Sequence, residues 1–370
     1  MDSHLRDIAG QFCSPNAISS LSPLGNGRIN DTYLVCLTAP HASFVLQRIN
    51  STVFSRPEAV MRNLVVFAQH AVEQLSQLAL PSARRWEIPT ILSAGDDERP
   101  FVYDDTGYLW RAIGFIDSSI SIDTIQTVEQ AEEVGIALGI FHTLVSNLPC
   151  DRLTDTLPGF HSTPRYLQQY DERLAAGLSS HHQKNCADCM QFVEKYREEV
   201  GVLEEAKAAG ILTMRPIHGD PKVNNILFDC HSHRAISIID LDTVKPGLIQ
   251  YDIGDCLRSG CNPAGSNATE LENVCFDLQN FRAILQGYCS VARSFLSDRD
   301  YDYLYAAIRL IPLELGLRYL MDYLNGNVYF KVSYPEQALQ RARVQFALTS
   351  SIEQQKDEIL REIEHQRSSA

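Results

Sequence analysis

No stretch of this 370-residue chain strings together the ~18 apolar residues a membrane-spanning helix needs, so no span is expected. The opening segment, MDSHLRDIAGQF, lacks a basic run followed by an apolar one and is not expected to be a secretion signal. Positive charge is scarce. Thirty-two Lys and Arg face 46 Asp and Glu, a formal net charge of −14, which argues against a fold-wide nucleic-acid footprint. Internal repeats and low-complexity linkers are absent, which excludes a solenoid. The ten cysteines offer one close cluster, HHQKNCADC (181–189), with no second pair at a finger-like spacing and no thioredoxin-like surroundings. That stretch is expected to be a polar loop between helices, its thiols free in a reducing, cytoplasmic compartment.

What is present reads as a globular chain: 45% hydrophobic and 21% charged residues, long enough for two lobes. The first third suggests strands around a single helix. Residues 18–37 form two β-rich runs about a Gly/Asn turn, 43–49 a strand, and 56–78 a helix opened by proline. WEIPTILSA, RPFVYDD and GYLWRAIGFID suggest three more strands, the last two a hairpin across Asp105–Gly107. Beyond residue 118, helical spacing dominates: 127–147, near 165–178, 187–209, 270–296 and 300–324, and a last long helix over 342–366. The expected class is α+β and bilobal, with a β-rich nucleotide-binding lobe over 1–114 and a helical lobe over 115–370 that carries the catalytic loop and acceptor site.

The chemistry concentrates in RPIHGDPKVNNILFD (215–229) and IIDLD (238–242). Phosphoryl transfer needs a carboxylate to orient the acceptor hydroxyl and take its proton, and oxygen ligands for the Mg²⁺ that bridges the phosphates. Asp220 suits the first task. NILFD and AISIID form an antiparallel hairpin that returns Asp240 beside Asn225, the expected metal pair. Strand alternation puts Asp242 on the same face as Asp240, where it either contributes or shapes the field.

These motifs resemble the aminoglycoside-phosphotransferase and choline-kinase superfamily, with its protein-kinase-like fold. GNGRINDTYLV, FVLQRINSTVF, MRNL, GFHSTP, YDIGD, LRYLMDYLNGNVYF and YPEQALQRARVQ narrow the resemblance to the N-acetylhexosamine 1-kinase subfamily, over residues 20–346. The resemblance implies ATP as phosphoryl donor, Mg²⁺, Asp220 as base, and Asn225 and Asp240 as metal ligands. It implies a loop-shaping role for His218, with Asp252 either bracing that loop or capping a helix. Gly25, Gly27 and Asn30 would cover the phosphates, Val45 would line the adenine pocket, and Gly114 and Ile116 would meet the base. Gln47 takes the place of the usual third-strand Lys, so another basic group or Mg²⁺ has to neutralise the phosphates; Arg48 serves only if the strand bulges. Arg318 and Tyr329 would contact a hexosamine, and Arg28, where relatives carry His, bears on which sugar. The expected function is an ATP- and Mg²⁺-dependent kinase of the anomeric hydroxyl of N-acetylglucosamine or N-acetylgalactosamine, with no protein partner implied. Its rivals are a phosphotransferase for aminoglycosides or other small alcohols, and a non-catalytic nucleotide-binding protein that only Gln47 favours.

Overall fold

The computed structural model describes residues 2–25, 29–38, 42–80, 84–95 and 98–368. Helix α1 (Asp2–Ala9) precedes the antiparallel strands β1 (Ile18–Pro23), β2 (Asp31–Leu37) and β3 (Phe44–Arg48). Helix α2 (Pro57–Leu75) follows, then β4 (Ile91–Leu92), β5 (Val102–Tyr103) and β6 (Leu109–Gly114). The sheet runs β1-β2-β3-β6, and β4 and β5 share the far edge of β6. Alternation along β3 decides its two faces. Phe44 and Leu46 are fully buried in a cluster with Leu5, Ile8 and Phe12, so α1 covers that face. Val45 and Gln47 point the other way, toward the second lobe. Pro57 opens α2, and Val60, Met61, Leu64, Phe67 and Ala71 turn its apolar stripe into the main core.

After β6 the chain leaves that sheet. Strand β7 (Ser119–Ser121) joins a different one, ahead of helix α3 (Val128–Val145). Helices α4 (Thr163–Ala175), α5 (Ser180–Asn185), α6 (Ala187–Tyr196) and α7 (Val202–Ala208) lead to β8 (Arg215–Ile217), the hairpin β9 (Ile226–Asp229) and β10 (Ala235–Ile238), and β11 (Lys245–Gly247). The rest is helical: α8 (Ile249–Gly260), α9 (Leu278–Ala292), α10 (Asp298–Asp302), α11 (Leu304–Leu324), α12 (Gln337–Gln354) and α13 (Lys356–Ser368). The strands of this lobe form a three-stranded sheet, β10-β9-β7, and a ladder of β8 with β11. Both functional loops hang from these strands, 218–225 between β8 and β9 and 239–244 between β10 and β11.

The α+β plan matches the expectation, with local corrections. WEIPTILSA contributes only Ile91–Leu92 as strand. The helices expected over 187–209 and 342–366 are each two, because a 3-10 turn at Arg197–Glu199 and a break at Gln355 redirect the chain. HHQKNCADC is not a loop: it folds as α5 and the start of α6, and Cys186 and Cys189 are buried with Tyr170, Val193 and Tyr196. Polar composition suggested a loop, but two cysteines three apart on a helix face make an apolar contact that composition hides.

Helices α3 and α9 form the main axis of the helical lobe, and glycine sets how close they come. A Cβ on Gly135 would lie 1.9 Å from the Ile284 carbonyl oxygen, and one on Gly287 2.1 Å from that of Glu132. Neither backbone has room to yield. Gly135→Ala should destabilise the protein by at least the ~1–3 kcal/mol typical of overpacking. Gly114→Ala, whose Cβ would meet nothing nearer than Thr90 at 3.5 Å, should cost less. Urea-denaturation midpoints of the two variants check this.

Candidate active site

The 218–225 loop is shaped from below. Gly219 has φ +85°, and a Cβ there would sit 2.8 Å from the Thr243 carbonyl oxygen, so only glycine fits. The fully buried Asp252 of α8 accepts the backbone N–H groups of His218 at 2.6 Å and Gly219 at 2.8 Å. Asp252 is thus the loop brace rather than a cap of its own helix, which its side chain does not touch. His218 behaves as the sequence suggests: Nδ1 accepts the Asp220 N–H at 3.2 Å and Nε2 donates to the Ile239 carbonyl at 3.0 Å. Both ring nitrogens are committed to backbone, so this ring carries no reacting proton.

This scaffold presents Asp220, Lys222, Asn225 and Asp240 together. Lys222 donates to the Asp220 carboxylate, and its ammonium lies 3.8 Å from Asp240. Burial pushes the Asp220 carboxyl upward, but Lys222 outweighs it and holds Asp220 below its ordinary value, ionised and able to accept a proton. Asp240 goes the other way. The surrounding protein thins the water about Asp240, whose side chain is still 43% exposed, and with the carboxylates of Asp242 and Asp220 raises its carboxyl against the pull of Lys222. Sequence reading missed Lys222, although a lone Lys two residues past the base, between two acidic motifs, was a legible signal.

Asn225 donates Nδ2 to the Asp220 backbone carbonyl at 2.7 Å, which leaves Oδ1 as its free oxygen. The Ile239 N–H donates to the Asn225 carbonyl at 2.8 Å and brings Asp240 alongside. Asp240 itself takes left-handed backbone, φ 64°, which a short acidic side chain tolerates. One amide oxygen and one carboxylate suit a hard divalent cation that keeps water and phosphate as its other ligands, and the Lys222 ammonium drawn to the Asp220 and Asp240 carboxylates marks the negative potential there. Among the described residues no group of three or more His, Cys, Asp or Glu side chains could hold a metal by itself.

Asp242 does not share a face with Asp240. Strand β10 ends at Ile238, the left-handed residue turns the chain, and Asp242 falls in a 3-10 turn, Leu241–Thr243. There it is buried, 2.5 Å from Arg111 and accepting Asn30 Nδ2 at 2.7 Å. Asn30 also accepts the Asn50 N–H at 2.9 Å, so its amide joins two protein partners. Gln47 lies on the cleft face of β3 and receives two N–H groups from Arg111. Arg48 pairs with Asp31 and stacks on Tyr108, pointing away from Gln47. Val45 is half-buried on the Gln47 face. Gly114 and Ile116 lie where the chain passes between lobes; the Gly114 N–H donates to Thr90 and the Ile116 carbonyl accepts the Ser119 hydroxyl. Gly25 is described, with φ 68°; Gly27 and Arg28 lie outside the described residues. Asn63, from MRNL, pins α2 to the other lobe through Thr154 and Val244.

A cluster of aromatic rings gathers about Arg318 of α11. The Arg318 guanidinium sits 5.0–5.8 Å from Phe160, Tyr166, Tyr329 and Phe330, with no carboxylate in ion-pair range among the described residues. Burial opposes its charge, but Tyr166, Tyr329 and Glu314 outweigh that and hold Arg318 above its ordinary value, protonated. Burial pushes Tyr166 up to about 12. Tyr329 is 41% exposed at the rim.

His161, from GFHSTP, ties this cluster to the catalytic loop. Its Nε2 donates to the Gly219 carbonyl at 2.8 Å and its Nδ1 meets Glu314 at 3.1 Å. Glu314 also accepts the Thr163 hydroxyl at 2.8 Å. With acceptors on both sides, the ring carries two protons and forms a buried ion pair. Burial opposes that charge, and the Glu314 carboxylate outweighs it and raises His161. Sequence reading quoted His161 without a role and passed over Glu314, whose signal was a lone carboxylate inside the apolar run of α11.

Residues 20–283 match the phosphotransferase enzyme family. Among solved structures, the chain is similar to a microcompartment-associated aminopropanol kinase (TM-score 0.59, 17% identity, covering 97% of this chain and 99% of that one). It is also similar to choline kinase from Cryptosporidium parvum Iowa II (0.58, 13%, covering 100% and 99%). A third likeness is to a spectinomycin phosphotransferase in complex with ADP and spectinomycin (0.53, 13%, covering 91% and 94%). At these identities the likeness shows a shared, protein-kinase-like fold.

The His161–Glu314 pair sets a pH dependence. A raised imidazolium contributes stability that is fully present below the unfolded value of about 6.5 and is lost as pH rises through the folded value. His161→Asn suits the left-handed backbone, φ 64°, and removes the charge. It should cost about 3–5 kcal/mol at pH 6, because Glu314 is left unpaired. The gap to wild type should narrow as pH rises, which denaturation midpoints taken across pH 6–9 will read.

Proposed function

For a chain that belongs to the phosphotransferase enzyme family, we propose phosphoryl transfer from ATP to the anomeric hydroxyl of an N-acetylhexosamine, N-acetylglucosamine or N-acetylgalactosamine, with Mg²⁺. The observation that carries this reading is Arg318 among four rings, with no carboxylate in ion-pair range among the described residues. A choline-like or aminoglycoside acceptor is a cation. It would meet a fixed guanidinium at close range in a partly desolvated pocket, where repulsion is costly. A neutral sugar suits the same walls. Aromatic faces stack on its ring, and the planar guanidinium donates to hydroxyls or to an N-acetyl carbonyl.

The residues then divide the work. Asp220 accepts the proton of the acceptor hydroxyl as its oxygen bonds to the γ-phosphorus and the bond to the β-phosphate oxygen breaks, releasing ADP. Lys222 keeps Asp220 ionised and stands between base and metal site, where the transferred group passes. Asn225 Oδ1 and the Asp240 carboxylate would hold Mg²⁺, whose chemistry is to neutralise and align the phosphates. His161 fixes the Gly219 carbonyl relative to α11, so the acceptor pocket and the base keep one spacing. Such alignment matters, since a 1 Å misplacement costs about 10²-fold.

Coupled ADP detection over a panel of acceptors tests the reading. N-acetylhexosamines should turn over, aminoglycosides and choline should not, and the product should be an acid-labile sugar 1-phosphate. Arg318→Ala should lower kcat/KM for the sugar about tenfold to a hundredfold, the ~1.5–3 kcal/mol of a charged hydrogen bond, and leave the KM for ATP within about twofold. A 6-phosphate product, or turnover of aminoglycosides alone, would overturn the assignment of the acceptor.

A further inference from the structure

We propose that Arg111 of β6 is the interlobe cation of this enzyme, a positioning residue that neutralises Asp242 and thereby fixes the turn carrying Asp240. The inference rests on the phosphotransferase reading of the cleft and adds a residue that sequence comparison with the third strand does not reach.

The geometry begins in the sheet. Gln47 on β3 and Arg111 on β6 are direct cross-strand partners, so their side chains leave on one face. Gln47 Oε1 takes Nε of Arg111 at 3.0 Å and Nη2 at 2.7 Å, and Gln47 Nε2 is itself held by Thr32 at 3.2 Å. The fork is thereby aimed out of the sheet. Its remaining nitrogen, Nη1, reaches Asp242 across the lobe boundary at 2.5 Å, with Met61 of α2 closing the other side at 3.9 Å. The Arg111 and Asp242 side chains are only 2% and 3% exposed. Asn30, at the exit of the glycine-containing segment, accepts nothing from Arg111 but donates to the second Asp242 oxygen.

Three parts of the cleft therefore meet at one carboxylate: the sheet through Arg111, the end of the glycine segment through Asn30, and the turn that presents Asp240 two residues earlier. That turn is the least self-sufficient of the three. It begins on a left-handed Asp240 and continues as a single 3-10 turn. An unpaired carboxylate buried there would turn out toward water, and Asp240 would move with it. The same arrangement accounts for glutamine on the third strand. A lysine in its place would set a second buried cation against Arg111, whereas glutamine offers the oxygen that orients it.

A charge-relocation cycle tests this. Each form is titrated with ATP by calorimetry, with and without Mg²⁺ and without any sugar, so the outcome does not depend on the acceptor. Arg111→Met should reduce the Mg²⁺ enhancement of ATP binding at least tenfold, leaving metal-free ATP binding within about threefold. Gln47→Lys alone should also weaken Mg²⁺-dependent binding, because it sets two cations together. Combined, Gln47→Lys and Arg111→Met should recover most of the enhancement, since the ammonium introduced on β3 then serves Asp242. A merely structural arginine would give losses that add in the double variant. An Arg111→Met protein with wild-type Mg²⁺ enhancement, or a double variant no better than Arg111→Met, overturns the proposal. Should Arg111→Met not fold, Arg111→Gln keeps a polar side chain of similar reach and removes the charge. It should show the same tenfold loss, and wild-type enhancement in that variant overturns the proposal equally.

Discussion

The Asp252 carboxylate is the fixed point of the cleft. Without exposure to water, it holds two successive N–H groups of the catalytic loop and the ring of His142, which is held in turn by Tyr288 on α9. A buried carboxylate is tolerable only with this many donors. Those donors belong to the β8–β9 loop and α3, with α9 behind them, so burying one charge draws the catalytic loop onto the close α3–α9 crossing. Gly219 then has to take positive φ, His218 has to face Ile239, and Asp220 is left as the part of the loop that points into the cleft.

From that point the cleft is ordered by the placement of charge rather than by its total. The chain carries −14, yet its cations stand where negative charge would enter or develop. Lys222 lies between Asp220 and Asp240, Arg111 is buried against Asp242, and Arg318 sits among rings with no carboxylate in ion-pair range among the described residues. Two of the three are spoken for by carboxylates. The third stands apart, with no carboxylate in ion-pair range among the described residues, and the proposed acceptor reading rests on that difference.

The convergence of Asp220, Asn225 and Asp240 was legible because it is local in sequence. Asp220 and Asn225 are separated by one short loop, and Asp240 follows just past the returning strand of a hairpin, so spacing and turn chemistry suffice. What stayed hidden depends on long-range register. Arg111 meets Gln47 only through the pairing of β3 with β6, and no periodicity in GYLWRAIGF reveals that partner. Asp242 misled because the strand was read through to its second carboxylate, while the left-handed Asp240 had already ended it. His161 and Glu314 are 153 positions apart and meet only because α11 packs against the segment that opens α4. Helix α1 was unassigned because eight residues carry too little pattern, although Leu5 and Ile8 complete a core face of the sheet.

Phosphoryl transfer at Asp220 is the claim on which the roles of the other residues rest, and single-turnover chemistry reads it most directly. Asp220→Asn keeps the shape of the side chain and removes the charge that accepts the proton. Mixed with ATP, Mg²⁺ and N-acetylglucosamine, it should transfer phosphate about 10²–10⁴ times more slowly than wild type, with ATP affinity within a few-fold. Transfer at close to the wild-type rate would contradict the account and move the base elsewhere.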